Sequence, residues 1–252
     1  MGEKVQITAS IVLYKENVEV LQKTINSFLN TSLAKKLYLI DNSPNDSLKK
    51  YADHPDIEYI FNNNNLGFGA AHNVVLKNIN NNSEYHLILN PDVEFKPHVI
   101  PELITQLKKE KEVSMVSPRV VYPNGELQYT CRRYPSFFDL VIRVFRIFKN
   151  RIAYKEYRNQ DLSKGFYPDF IHGCFMLFRT QSFVNLKGFD ERYFLYMEDA
   201  DICKRIDGAG SKKIYYPEEE IIHIHRKDSG KNIQLFFRHF ISALKYFNKW
   251  GY

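Results

Sequence analysis

Three acidic residues fall within four positions of the second half of the chain. Glu198, Asp199 and Asp201 closely follow the aromatic-rich segment 189–196. Acids at the start of a helix complement the helix dipole, and capping alone would explain them. Here they also follow an aromatic loop on which a sugar ring could stack. Helix capping and an acid-bearing sugar site therefore both stay open from these residues alone.

An apolar strand leads to another acid. Residues 87–89 are Leu-Ile-Leu, and Asn90, Pro91 and Asp92 follow directly. The strand would deliver Asp92 to its carboxyl end, where a divalent cation could bridge the oxygens of a diphosphate, because hard cations prefer oxygen ligands. An ordinary Asn-Pro-Asp turn is the alternative.

Two histidines alternate on a predicted strand near the C-terminus, so the rings of His223 and His225 would point to one face. Metallohydrolases use histidine pairs of this kind to hold a metal. No third ligand follows at a recognisable spacing, and a structural histidine on a strand is the alternative.

Polar residues also stand where the first two predicted strands end. Asp41 closes the second strand, and its carboxylate could accept the N3–H of uracil or thymine. The alternative is a turn-forming aspartate in the sequence Asp-Asn-Ser-Pro. Tyr14 and Glu16 close the first strand, where ring and backbone could frame the same base.

The segment 65–73 combines small residues with a helix start. Asn65, Gly67 and Gly69 would let the backbone approach a nucleotide. The segment is not the dinucleotide fingerprint, since the third glycine is missing, and not a phosphate loop, since no Gly-Lys-Ser/Thr follows. A tight loop with a close-packed helix is the alternative.

The elements that must position these residues alternate along the first half of the chain. Strands are predicted at 6–14, 36–40, 57–61, 85–89 and 114–121, and helices from Asn17, over 66–79 and from Pro97. Strands separated by helices predict an α/β fold with a mostly parallel central sheet, whose ligands bind at the carboxyl ends of the strands.

The second half is less regular. It is predicted to contain a hairpin turn at 122–125, a helix at 138–152, a strand at 170–179 interrupted by Gly173, the acidic helix, strands at 213–216 and 221–225, and a terminal helix from about Ile233. With 252 residues, 44% of them hydrophobic, the chain can bury a sizeable core as one domain.

Composition narrows the protein class. The three cysteines are too few and too scattered for a disulfide framework or a zinc cluster, which favours a reduced, cytoplasmic setting. The first residues show no signal peptide, and no apolar run approaches the length of a membrane span. We therefore expect a cytoplasmic protein that is soluble or peripherally attached to the inner face of the cell membrane.

The net charge of +6 conceals a strong asymmetry. Residues 131–165 carry nine Lys/Arg against three Asp/Glu, and residues 221–252 carry six against one. Helices predicted there interleave bases with aromatic and aliphatic residues; the bases are Arg143, Arg146, Lys149, Arg238, Lys245 and Lys249. Such helices suit an anionic membrane surface, whereas packing on the core with solvated bases is the alternative. Nucleic acid is not expected, because no nucleic-acid module is recognisable.

Taken in order, the motifs resemble family 2 glycosyltransferases, which are inverting enzymes of the GT-A fold. The resemblance extends from Ile11 to about Phe237. The Asn-Pro-Asp motif and the acidic segment look most like those of bacterial dTDP-rhamnosyltransferases of polysaccharide assembly. One departure is Asn90, which stands where the Asp-x-Asp metal motif of GT-A enzymes has its first acid.

The resemblance implies a metal-dependent transfer of a sugar to a hydroxyl of a glycan or a lipid-linked saccharide, best guessed as L-rhamnose from dTDP-rhamnose. It implies Asp199 as general base supported by Glu198, Asp92 and His223 as ligands of Mg²⁺ or Mn²⁺, a donor half at 1–122 and an acceptor half at 123–252. The implied nucleotide-sugar ligands are Leu13, Tyr14, Glu16, Asp41, Asn65, Gly67, Gly69, Asn90 and Asp92. The implied acceptor ligands are Gly173, Cys174, Tyr196 and Asp190.

Three other functions stay open. A different donor, such as a UDP-hexose, would suit the same motifs. A sugar nucleotidyltransferase would need a glycine-rich basic loop after the first strand, and residues 13–17 contain no glycine. A non-catalytic nucleotide-sugar or membrane-surface binding protein of the same fold would be marked by loss of the acids, which are present.

Overall fold

The computed structural model describes residues 5–80, 82–139, 148–224 and 233–251. Its strands are β1 (Val5–Leu13), β2 (Lys35–Asp41), β3 (Ile57–Phe61), β4 (Ser83–Leu89), β5 (Val93–Glu94), β6 (Val113–Val121), β7 (Cys131–Arg132), β8 (Phe170–Ile171), β9 (Phe175–Arg179) and β10 (Lys212–His223).

The α-helices within those residues are α1 (Val18–Leu29), α2 (Phe68–Asn73), α3 (Leu76–Ile79), α4 (Val99–Lys109), α5 (Lys149–Lys155), α6 (Thr180–Asn185), α7 (Glu198–Gly208) and α8 (Ile233–Trp250). Asn17 caps α1 as its sequence predicts, because its Oδ1 accepts the Val20 N–H at 3.1 Å. Among the described residues, no helix is both long and apolar enough to cross a bilayer.

The central sheet has the strand order β3-β2-β1-β4-β9-β6-β10-β5. Strands β1 to β4 pair in parallel, as do β6 and β10, whereas β9 runs antiparallel to both β4 and β6. It follows that β6 and β10 point the same way as β4. The mostly parallel sheet expected from the sequence is confirmed, and the carboxyl ends of β4, β6 and β10 lie at one edge.

Side-chain alternation along β1 explains why helices cover both faces of this sheet. Ile7 and Ile11 are fully buried in a cluster to which α1 and α4 contribute, with Leu21 and Ile25 on α1. The other face carries a second cluster, to which α2, α7 and α8 contribute. Each fully buried aliphatic side chain stabilises the fold by about 1.5–3 kcal/mol.

The second face of β1 also holds a buried polar network. His86 Nδ1 lies 2.8 Å from the Thr8 hydroxyl, and His86 Nε2 lies 3.0 Å from the Ser10 hydroxyl, which also lies 2.7 Å from His72 Nδ1. Burial lowers the pKa of His86 to about 3 and lowers that of His72 as well, so both rings are neutral near pH 7.

Three predicted elements differ from the structure. The helix predicted at 66–79 is split into α2 and α3 at two valines, whose branched side chains disfavour helix. The strands predicted at 213–216 and 221–225 are one strand, β10, whose register against β6 is irregular. The helix predicted at 138–152 is not continuous, because Phe148 has a left-handed φ of 57° directly before α5. Residues 140–147 lie outside the described ranges.

The predicted turn at 122–125 and the predicted break at Gly173 are both confirmed, and both lie beside the cleft described in the next subsection. The turn at 122–125 is closed by a hydrogen bond from the Tyr122 N–H to the Glu126 carbonyl at 2.8 Å. Gly173 separates β8 from β9, so that the chain changes sheet at this point.

Candidate active site

Two of the polar residues predicted at strand ends, Asn90 and His223, line one cleft of about 390 Å³. Asn90 follows β4, Tyr122 follows β6 and His223 ends β10, so the cleft lies at the carboxyl edge of the sheet. Gly173 and Cys174 reach the same edge because they precede β9, which runs in the opposite direction. The cleft therefore gathers residues from both halves of the sequence.

Asp92 and His223 come together at one end of this cleft. His223 Nε2 lies 3.3 Å from Asp92 Oδ1 and 3.5 Å from Asn90 Nδ2. The Gln128 amide N–H donates to the His223 carbonyl at 2.5 Å, so the Gln128 oxygen accepts from His223 Nδ1 at 3.0 Å. In the neutral ring, the Nε2 lone pair therefore faces the Asp92 carboxylate.

Two facing lone pairs require a proton or a metal ion between them. Burial by itself would lower the pKa of His223, but Cys174 and the Asp92 carboxylate outweigh it and raise that pKa to about 10. A divalent cation can replace the proton, because imidazole nitrogen and carboxylate oxygen are both common ligands. The described residues contain no cluster of three or more such ligands, so a metal here would share its coordination with a bound molecule. His225 lies outside the described residues.

The acid pair begins α7 on another wall of the cleft. Tyr196 and Met197, which lead into it, both have a left-handed φ of 70°. Such backbone costs about 1–3 kcal/mol at each non-glycine residue and persists only where surrounding contacts enforce it. The strained turn places Glu198 and Asp199 against the cleft.

Glu198 and Asp199 differ in what surrounds their carboxyl groups. Glu198 is buried, its Oε2 has no hydrogen-bond partner among the described residues, and burial together with the Asp199 charge raises its pKa to about 8. Burial raises the pKa of Asp199 too, but the Ala200 N–H bonds its Oδ1 at 2.8 Å, and Arg132 and the Gly173 backbone favour its ionised form. Near neutral pH the shared proton therefore resides on Glu198, and Asp199 is the carboxylate.

Arg132 and His172, which the sequence did not single out, line the same cleft. The Arg132 Nε–H donates to His172 Nε2 at 2.7 Å, and its Nη1 lies 2.7 Å from Glu156 Oε1. Arg132 belongs to the two-residue strand β7. In the described part of the chain, β7 pairs with the two-residue strand β8, which lies far along the sequence. Elements this short leave no periodic pattern by which the sequence could reveal them.

The predicted acceptor ligands are placed as follows. Tyr196, Gly173 and Cys174 line the cleft, and the Tyr196 ring packs edge-on against His239 of α8 with centroids 5.0 Å apart. A Cβ on Gly173 would lie 3.3 Å from the Phe68 ring. A larger residue at this position would therefore crowd the floor of the cleft.

Asp190 requires a correction, because it does not line the cleft. Its Oδ2 lies 2.6 Å from Arg192 Nη2 and 2.8 Å from Lys249 Nζ. Hydrogen bonds from Arg192 and Lys249 outweigh partial burial and lower the pKa of Asp190 well below its usual range. Lys249 also lies 2.6 Å from the fully buried Asp201, so Asp190 fastens α8 to the loop before α7 and Asp201 fastens it to α7 itself. These contacts give Asp201 a structural role.

Gly67, which precedes α2, and Gly69, which lies in its first turn, are accounted for by protein packing. Gly67 has a φ of 86°, and a Cβ there would lie 2.2 Å from the Phe194 carbonyl oxygen. A Cβ on Gly69 would lie 2.8 Å from Phe189 Cβ. The Phe68 N–H donates to the Phe194 carbonyl at 2.9 Å. The close-packed loop, which the sequence left open as an alternative, explains both glycines without a nucleotide.

Asp41 is fully buried and held by two donors. The Ser43 N–H donates to its Oδ1 at 2.7 Å, and the Tyr59 hydroxyl donates to its Oδ2 at 2.5 Å. The first contact is the turn-forming role that the sequence left open. Recognition of a base by Asp41 would require Tyr59 to move, and it stays a prediction.

The other predicted donor ligands surround the end of β1. Leu13 is buried and its carbonyl accepts the Asn42 N–H at 2.9 Å, whereas Tyr14 is half exposed and its N–H lies 3.4 Å from Glu16 Oε1. Asn65 bonds the Gly67 N–H at 3.0 Å and so shapes the neighbouring loop. Their role in donor binding stays a prediction.

The family model described as glycosyl transferase family 2 matches residues 8–186. An N-acetylglucosaminyl-diphospho-decaprenol L-rhamnosyltransferase of Mycobacterium tuberculosis is 26% identical over 204 residues, a match that covers 76% of this chain and 66% of the relative. This chain thus spans just under two thirds of the length of that relative. Rhamnosyltransferase WbbL of Escherichia coli K12 is 27% identical over 223 residues, covering 84% of this chain and 81% of the relative.

The fold is also that of a solved glycosyltransferase. The crystal structure of GalNAc-T7 with UDP, GalNAc and Mn²⁺ superposes with a TM-score of 0.68 at 16% identity, covering 88% of this chain and 44% of the other. At this identity the likeness establishes the fold alone. The GT-A fold expected from the sequence is confirmed.

Proposed function

This chain belongs to glycosyltransferase family 2, and from that premise we propose that it is an inverting glycosyltransferase (EC 2.4) using a nucleotide-diphosphate sugar. The observation that carries the proposal is a single cleft in which acidic side chains occupy two different surroundings. One end brings Asp92 to His223, and another wall holds the carboxylate of Asp199 beside a protonated Glu198. Such a cleft can hold the charged leaving group and the attacking hydroxyl at the same time.

Asp199 is the general base of this proposal. Its carboxylate takes the proton from an acceptor hydroxyl as that oxygen attacks the anomeric carbon, and one displacement inverts the configuration. Because Glu198 holds the proton that the two acids share, the buried pair carries one negative charge rather than two. Arg132 contributes a positive charge that stabilises the Asp199 carboxylate.

Asp92 and His223 would hold a divalent metal, Mg²⁺ or Mn²⁺. They fit this role because the Nε2 lone pair of His223 and a carboxylate oxygen of Asp92 converge at 3.3 Å. When bound, such an ion offsets negative charge on the departing diphosphate. Gln128 fixes the orientation of the His223 ring through its hydrogen bond with Nδ1 and holds the backbone through a second bond to the His223 carbonyl, which preorganises the ligand.

The donor and acceptor are proposed from the relatives. Two of them are rhamnosyltransferases by name, so L-rhamnose from dTDP-rhamnose is the first donor to test and a UDP-hexose the second. One relative acts on a diphospho-decaprenol saccharide by name, which makes a polyprenyl-diphosphate-linked saccharide or a glycan the acceptor, in cell-surface polysaccharide synthesis. Such an acceptor would place the protein in the cytoplasm, peripheral to an anionic membrane surface.

A panel of nucleotide sugars, with and without Mn²⁺, tests the proposal. Donor hydrolysis and the shift in melting temperature should single out one nucleotide sugar, and the effect should require metal. Asp199→Asn should preserve that shift while turnover falls by about 10²–10⁴, because the amide keeps the shape but cannot take a proton. Donor binding without turnover in the parent protein would instead indicate a non-catalytic nucleotide-sugar binding protein.

A further inference from the structure

The two halves of α8 face different surroundings. Residues in its C-terminal half, such as Ala243, Tyr246 and Phe247, are buried on the domain. Its N-terminal half, together with Leu244 just beyond it, exposes a continuous apolar stripe with helical spacing: Ile233, Phe236, Phe237, Phe240, Ile241 and Leu244. These six side chains are between 43% and 71% exposed. Large apolar side chains scattered singly over a surface are ordinary, but a contiguous row indicates a binding surface.

A second group of exposed aromatics adjoins this stripe. Phe137, Phe138 and Phe148 are 41%, 54% and 61% exposed. Phe138 and Phe148 line one groove, and the Phe137 ring packs against Phe247 of α8 with centroids 5.9 Å apart. Together the stripe on α8 and these three aromatics form what we call the apolar face.

The apolar face borders the mouth of the catalytic cleft. Pro135 and Asp139, which flank Phe137 and Phe138 in the chain, line the cleft, and so does His239 of α8. His239 also packs against Tyr196, two residues before the acid pair. Whatever covers the apolar face therefore lies beside the acceptor side of the cleft.

The charges on α8 are suited to an anionic surface but are largely engaged within the protein. Residues 233–251 contain no Asp or Glu. Lys249 is bound to Asp190 and Asp201, Lys245 donates to the Arg192 carbonyl at 2.6 Å, and Arg238 lies over the Phe194 ring at 4.1 Å. The attraction expected from these three bases is therefore weaker than the sequence suggests, and apolar contact must contribute most of the binding.

We infer that the apolar face inserts into the surface of a lipid bilayer and holds the cleft mouth against the headgroups. This inference rests on the proposed function, since it supplies the route by which a lipid-linked acceptor reaches Asp199. A second copy of the chain on the same face would crowd the cleft mouth. A bilayer would instead present lipid-linked hydroxyls to the cleft, and it suits a helix without acids.

Co-sedimentation with vesicles tests the inference, using neutral phosphatidylcholine and mixtures with anionic phosphatidylglycerol at low and high salt. The parent protein should sediment with both, more strongly with anionic vesicles, and should stay bound to neutral vesicles at high salt. The triple change Phe237→Gln, Phe240→Gln and Ile241→Gln should weaken partition by about 100-fold, because three half-exposed apolar side chains lose their contact with lipid. Tyr167→Gln, a similarly exposed aromatic on another element, should leave partition unchanged.

Activity separates this inference from the proposed function. The triple variant should keep the parent's turnover on a short soluble acceptor and lose it on an acceptor embedded in vesicles. Absence of vesicle binding by the parent, or equal binding by the triple variant, would overturn the inference. A dimer in the parent that the triple variant abolishes, seen by analytical ultracentrifugation without vesicles, would assign the face to a second copy. Vesicle binding by a parent with no transferase activity would overturn only the proposed function.

Discussion

Replacing Glu198 by Gln should make the protein more stable at neutral pH. The carboxyl group is buried beside Asp199, and its pKa is raised from an ordinary 4.5 to about 8. Below pH 4.5 the Glu198 carboxyl is protonated in both the folded and the unfolded state, so its raised pKa does not lower the free energy of unfolding. Between pH 4.5 and 8 the unfolded state releases the proton while the folded state keeps it, and the fold loses about 1.4 kcal/mol for each pH unit.

At pH 7 this difference amounts to about 3 kcal/mol, because 7 lies 2.5 units above the ordinary pKa of 4.5. Glutamine keeps the shape of the protonated acid and does not titrate, so the variant should gain about that much. Urea unfolding of parent and Glu198→Gln at pH 7 and pH 4 measures it, and the gain should disappear at pH 4. The exposed control Glu84→Gln should change stability by less than about 0.5 kcal/mol at either pH.

Activity provides the second part of this test. Since Glu198 is mostly protonated at pH 7, the Gln variant should retain turnover within about tenfold, in contrast to Asp199→Asn. Equal stability of variant and parent at pH 7, or a gain that persists at pH 4, would refute the assignment of the shared proton to Glu198. Loss of turnover as large as that of Asp199→Asn would make Glu198 the base.

Three further outcomes follow from the site and its supports. Asp92→Ala should abolish the strengthening of nucleoside-diphosphate binding by Mn²⁺ in calorimetry, and equal strengthening in parent and variant would leave Asp92 a turn residue. Asp190→Asn should lower the unfolding free energy by about 1–2 kcal/mol with no change in KM for a soluble acceptor, because it loosens Lys249; a raised KM would restore its acceptor role. In the Glu198→Gln background, stability should fall from pH 7 to pH 5, because the unfolded chain protonates His86 and His72 at their ordinary pKa of 6.5 whereas the fold keeps both rings neutral; His86 alone contributes about 2 kcal/mol of this fall, and constant stability would show that the rings are not held neutral.

The fold was predictable because its strands and helices are long enough to show their periods. The strand at 57–61 has the predicted bounds, and the strand that ends at Leu89 leads directly to Asn90, which lines the cleft. Glu198 and Asp199 could be recognised from the sequence because the residues that position them, Tyr196 and Met197, directly precede them in the chain. Local sequence carries this information wherever an element spans several residues.

The remaining parts of the site depend on contacts between distant positions. From the sequence, Asp190 is predicted to be a site residue. The structure shows that it binds Lys249, which lies 59 positions further along the chain. Gln128 orients a histidine 95 positions away, and no motif marks it. The charge of α8 is partly engaged for the same reason, since the sequence shows Lys249 but not the carboxylates of Asp190 and Asp201 with which it pairs.

The contact between the glycine loop and the loop before the acids has a consequence for recombining these enzymes. A chimaera joined near residue 122 would take Gly67 and Gly69 from one parent and Phe189 and Phe194 from the other. Because a Cβ at position 67 would lie 2.2 Å from the Phe194 oxygen, an N-terminal segment with any residue other than glycine there would clash with the C-terminal segment of this chain. The two segments must therefore match each other, even though more than a hundred residues separate them. A library that swaps segments near residue 122 should recover folded members where the N-terminal parent has glycine at both positions, and few elsewhere.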